Sequence, residues 1–251
     1  MSTIIDTYQH GGILFQLHAK TFPRCTRKPT VTINAPQGTL ILGGGAYVDW
    51  DGQCAPPCPQ GNMLTAMYPN ASGTTWTVAS KDSIPANNAR ITAYCIVARG
   101  IAPADYTVAV NTAVKTAQAK VLAGFTVVGG GAMAGTGWLT ESYPLAPLDA
   151  TWVGTVDSGL VRVWAIGLKK TFLLAHTMTI KSIPSIAPSP AAKNPKKTDV
   201  IPNFNLTGAG AKMGATGLLT ASFPQDRQTV VAEGIVAMGT ATVTAYAVGF
   251  F

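Results

Sequence analysis

The stretch VTAYAVGF, residues 243–250, alternates so that Val243, Ala245, Ala247 and Gly249 fall on one face of an extended chain and Thr244, Tyr246 and Val248 on the other. Residues 91–98, ITAYCIVA, and 161–168, VRVWAIGL, carry the same design, with aromatic falling on aromatic. Period-two alternation in short segments rich in Val, Ile, Thr and aromatics, bounded by Gly, Pro, Asn or Ser, predicts β-strands. Small residues on one face of those strands permit close packing.

Further segments recur in the same order. The glycine motif appears as Gly43-Gly44-Gly45-Ala46, Gly129-Gly130-Gly131-Ala132 and Gly208-Ala209-Gly210-Ala211, with the alanines separated by 132 − 46 = 86 and 211 − 132 = 79 residues. Each is followed by LTAMYP (64–69), LTESYP (139–144) or LTASFP (219–224), and then by TWTV (75–78), TWVG (151–154) or the weaker TVVA (229–232), in which Val230 replaces the tryptophan. A fainter opening element reads FQLHAK (15–20), YTVAVN (106–111) and FLLAHT (172–177), which makes His18 and His176 near-equivalent. Several ordered motifs recurring three times define internal repeats, with units at about 1–100, 101–168 and 169–251.

Residues 183–203, with five prolines, are expected to be an extended surface loop. Residues 112–123, TAVKTAQAKVLA, are the one stretch with a helical look, although the matching positions in the other units are proline-rich. Units this small, each with four or five antiparallel strands, bury a face poorly alone. The expected fold is therefore all-β, one domain over 1–251, with the repeats in a pseudo-threefold, β-prism-like arrangement. A β-trefoil is the alternative.

Composition supports strands over helices: of 251 residues, 47% are hydrophobic and only 12% charged, against about 25% charged in an ordinary soluble domain. No apolar run reaches the roughly 18 residues a membrane helix needs, and the N-terminal residues lack a basic segment followed by an apolar one. The expectation is an extracellular or released protein without a visible signal peptide, with a cytoplasmic one as the other option. The net charge of +7 invites a nucleic-acid reading, but the basic residues are mostly scattered, clustering only at 24–28, 169–170 and 193–197, which argues against it.

Candidate chemistry is sparse. The glycine triplets lack the spacing of a phosphate-binding loop, and the three histidines have no partners at catalytic spacing, so the chain is expected to be a non-enzyme without cofactor or structural metal. Cys54 and Cys58 are spaced for a small disulfide loop, and free thiols fit equally well. Asp49-Trp50-Asp51-Gly52 stands out in the first unit's insertion: paired aspartates beside a glycine can offer oxygens to calcium, and a tryptophan can stack on a sugar face. The corresponding loops are 133–138, which contains Trp138, and 212–217. Asp49, Trp50, Asp51 and Trp138 are thus the expected ligand-binding residues, at one end of the assembly.

The order GGGA, LTxSYP, TW and TAYAIG resembles repeats of bacterial proteins that are often secreted or surface-associated and have no established function. Residues 129–167 show the likeness best, and the third unit departs by losing its tryptophan. The resemblance implies the repeat and an extracellular setting, and supplies no mechanism. Together these features favour a binding protein for carbohydrate or a cell surface. The alternatives are a bacterial toxin or host-directed membrane-active effector, and a phage or surface assembly protein that would form homo-oligomers.

Overall fold

The structure is a computed structural model that describes residues 1–49, 54, 61–82, 88–145, 150–189, 196–200, 204–214, 217–236 and 241–251. The first repeat supplies β1 (Thr3–His10), β2 (Ile13–Thr21), β3 (Thr30–Asn34), β4 (Thr39–Asp49), β5 (Asn62–Pro69), β6 (Thr75–Asp82) and β7 (Arg90–Arg99). The second supplies β8 (Tyr106–Lys120), β9 (Phe125–Ala134), β10 (Leu139–Pro144) and β11 (Thr151–Lys169). The third supplies a short helix α1 (Lys170–Ala175), then β12 (Ile180–Ser189), β13 (Lys196–Val200), β14 (Asn205–Met213), β15 (Leu218–Pro224), β16 (Val230–Ile235) and β17 (Ala241–Phe250).

All strand pairing is antiparallel, and it shows how the repeats interlock. Each repeat folds as two three-stranded halves: β2-β7-β4 with β5-β6-β3, then β9 and the N-terminal part of β8 flanking the C-terminal part of β11, with β10 beside its N-terminal part, and finally β12-β17-β14 with β15-β16-β13. The glycine strand of each repeat does not pair with the LTxSYP strand that follows it. It pairs with that of a neighbouring repeat: β9 with β5, β14 with β10, and β4 with β15. The register is the same at every seam, Ala132 opposite Met67, Ala211 opposite Ser142, and Ala46 opposite Ser222. Three faces, each shared by two repeats, close around a pseudo-threefold axis as a β-prism-like body rather than a trefoil. Strands β8 and β11 bend from one face to the next, which joins two of the faces into one sheet.

The glycines are small because backbones meet there. A Cβ on Gly43, Gly129 or Gly208 would run into the glycine strand of another repeat, so these three residues line the axis. A Cβ on Gly45, Gly131 or Gly210 would strike the paired LTxSYP strand instead. The middle glycine points the other way, into its own repeat: Gly44 lies against the buried Trp76 and Gly130 against the buried Trp152. In the third repeat Ala209 and Val230 occupy these two positions, a larger residue at the first and a smaller one at the second. One apolar cluster runs through all three repeats.

Stacked aromatics close each seam on the outer side. Tyr68 stacks on Trp164 at 4.4 Å, Phe223 on Tyr94 at 4.6 Å, and Tyr143 on Tyr246 at 4.9 Å between ring centroids. These are the aromatics of the LTxSYP and TAYAIG motifs, one from each of two repeats.

The helical look of residues 112–123 is decided, and three sequence-based expectations are corrected. Residues 112–123 lie mostly in β8, which stays extended because it pairs along β11 over most of its length. The proline-rich 183–203 stretch contributes strand β12 and strand β13, both at sheet margins, where a missing amide hydrogen leaves no ladder bond unmade. Residues 172–175 are helical, so the third opening strand is β12, and the position equivalent to His18 is Ile183 rather than His176. Cys54 is bonded to Cys25 and not to Cys58; a bridge between residues 26 and 89 holds the chain beside Cys25 in place. Cys58 lies outside the described residues. Among the described residues no helix is long and apolar enough to cross a membrane.

Candidate functional site

The C-terminal ends of β4, β9 and β14 lie at one end of the prism, because the three strands share one register. Asp49, the last residue of β4, is held by a 2.7 Å ion pair to Arg90, its cross-strand neighbour in β7. Its carboxylate is therefore occupied in fastening two strands. Trp50 and Asp51 lie outside the described residues.

Trp138 ends the loop between β9 and β10 and is half-buried. Its backbone amide donates to Asp157 Oδ1 at 2.7 Å, which fixes the loop onto its own repeat. Its ring belongs to a seam as well: the Lys81 ammonium of the first repeat stands 4.5 Å from the ring centroid and donates to the Thr136 carbonyl. Cation and ring attract through the ring's quadrupole, so Lys81 pins the second repeat's loop to the first repeat. The indole Nε1 is buried without a hydrogen-bond partner.

Beside this contact lies a cleft of about 340 Å³ between the two repeats. Lys28, Thr30, Thr65, Ser80 and Lys81 form its first-repeat wall, and Ala134, Gly135, Thr136 and Gly137 its second-repeat wall. The wall is sequence-built: period-two geometry on β3, β5 and β6 turns Thr30, Thr65 and Lys81 to the side away from the core residues Val31, Leu64 and Val78. Gly137 is required because a Cβ there would strike Asp157 and Ser158. The cleft thus gathers hydroxyls, two ammonium groups and backbone edges, the groups that hydrogen-bond a polyhydroxylated ligand.

A basic device marks another seam. Lys212 pairs with Glu141 at 3.5 Å and stands 5.1 Å from the Tyr143 ring. Partial burial works against the Lys212 charge, yet Glu141 and Tyr143 outweigh it and hold the ammonium above its ordinary pKa. Burial, with Tyr143 beside it, raises the Tyr246 hydroxyl. The three seams share strand geometry and differ in their polar decoration.

Of the expected site residues, the structure brings Trp138 to the cleft's edge, whereas Asp49 does not line the cleft and serves an ion pair. Lys28, Thr30, Thr65, Ser80 and Lys81 escaped sequence reasoning because they come from separated strands. One signal was available: the register sets Lys81 where Asp157 and Ile235 stand in the other repeats, a position that changes while its surroundings recur. No protein-family model matches this chain, and no curated protein is similar enough to count as a relative.

Proposed function

We propose that this protein is a non-enzymatic binding protein that recognises carbohydrate, at a cell surface, through the loops and clefts between its repeats. The observation that carries this reading is the seam cleft beside Trp138, where hydroxyl, ammonium and backbone groups converge on a space large enough for one or two sugar rings. An extracellular setting agrees with the resemblance to secreted and surface-associated repeat proteins. Binding to a glycan array, lost on Trp138→Ala and weakened on Trp50→Ala, is the expected result. An array blank for the folded protein would sink the reading.

A membrane-active effector is the second reading, supported by one patch. Leu122 is 65% and Leu174 76% exposed, and the Lys170 amide bonded to the Gly124 carbonyl brings the turn after β8 and helix α1 together beside Lys169. Apolar tips beside lysines suit an anionic bilayer surface. Dye release from anionic vesicles supports this second reading; a carbohydrate-binding protein releases none.

A further inference from the structure

We infer that the ligand of the seam cleft is an anionic sugar, one whose carboxylate or sulfate is gripped by Lys28 and Lys81 while its hydroxyls meet Thr30, Thr65 and Thr136. This rests on the carbohydrate reading and gives it a chemical class.

Charge balance is the first argument. Among the described residues no carboxylate lines the cleft. The nearby carboxylates are already engaged: Asp82 is paired with Arg27 at 2.6 Å, Glu141 is paired with Lys212 at 3.5 Å, and Asp157 accepts the Trp138 amide. Lys28, by contrast, is exposed and has no hydrogen bond or ion pair among the described residues. Lys81 spends one of its three hydrogens on the Thr136 carbonyl, which leaves donors for a ligand.

Preorganisation is the second. The Arg27 and Pro29 carbonyls on either side of Lys28 accept the amides of Asp82 (3.0 Å) and Ser80 (3.1 Å), so its backbone is clamped although its side chain is free. The Cys25–Cys54 disulfide secures the same segment. Two cations on a fixed frame, uncompensated and facing hydroxyl-rich walls, favour an acidic sugar over a neutral one, because a neutral sugar leaves both charges unanswered. The other two seams offer no such pair, since the positions of Lys81 hold Asp157 and Ile235.

The test is calorimetric titration of the full chain with four probes: a heparin-derived sulfated tetrasaccharide, an oligouronate, a neutral oligosaccharide of equal length, and inorganic sulfate. We expect the sulfated or the uronate probe to bind at least about tenfold more tightly than the neutral one, and the two acidic arms tell which anion is preferred. That binding should fall by about tenfold or more in Lys28→Gln, a change at an exposed side chain that leaves the fold intact. It should also collapse in roughly 1 M salt, where the screening length is about 3 Å. Equal affinity for the neutral probe, or unchanged binding in both Lys28→Gln and Lys81→Gln, overturns the anionic inference while the carbohydrate reading survives. Inorganic sulfate matching the oligosaccharides overturns it in favour of a simple anion site. No response to any of the three sugar probes overturns both the anionic inference and the carbohydrate reading.

Discussion

His18 sits in β2 opposite Cys95 of β7, with its side chain buried, its Nδ1 3.4 Å from the Ser2 hydroxyl and its Nε2 unpartnered. Burial penalises the imidazolium and lowers the pKa below its ordinary 6.5. The unfolded chain then takes up a proton before the native one does. Stability is full above about pH 6.5, falls as pH drops below that value, and levels off once the native pKa is passed. Thermal melts at about pH 7.5 and about pH 5 should show a smaller acid penalty in His18→Leu than in the wild type. An identical penalty would mean that His18 titrates alike in both states. At the same scale, Trp152 Nε1 donates to the Ser142 hydroxyl at 3.0 Å, whereas the equivalent Ser222 hydroxyl is buried without a partner. The tryptophan that would satisfy it has become Val230.

That substitution belongs to a pair of elements. The middle position of the glycine strand is glycine in the two repeats where a tryptophan packs on it, and alanine in the repeat where Val230 stands at the tryptophan's position. Val230→Trp alone should overfill the third repeat and destabilise by about 1–3 kcal/mol. Adding Ala209→Gly should recover most of that loss, because it removes the methyl in the ring's place and because Ser222 gains a donor. Urea unfolding of the two singles and the double measures the coupling. Strict additivity would show that the two positions do not meet. Residue covariation within one chain thus does what an alignment would do elsewhere.

At the scale of the whole molecule, each repeat leaves one glycine-strand edge and one LTxSYP-strand edge that only neighbouring repeats can pair. An open edge of this kind invites association. Repeat two by itself, residues 101–168, should therefore either fail to fold or close with two copies of itself in the seam register, which light scattering of the purified fragment would report. A folded monomer would contradict the interlocked arrangement. The same closure explains why the seams are where function is proposed: side chains from two repeats face each other there at the surface, so one repeat can vary without disturbing its own core.

Alternation, the three glycine motifs and their constant partners were enough, from sequence alone, to set the strands, the repeats and the prism-like class, because these follow from short-range geometry and from recurrence. At residues 112–123 pairing with β11 settled as strand a stretch with a helical look, and at 172–177 alignment of the repeats misled, because the chain there turns through α1 before the true opening strand β12. The proline count at 183–203 misled for a related reason, since proline forbids an interior strand but not a marginal one. Pairing between segments far apart in the chain was not legible: that β9 takes β5 and not its own β10, that Cys25 reaches Cys54, and that Lys28 and Lys81 share one cleft with Trp138 beside Lys81. A motif records what each strand needs on its faces, whereas the identity of the strand at its edge, and therefore the cleft formed there, is settled only when all three repeats close around the axis.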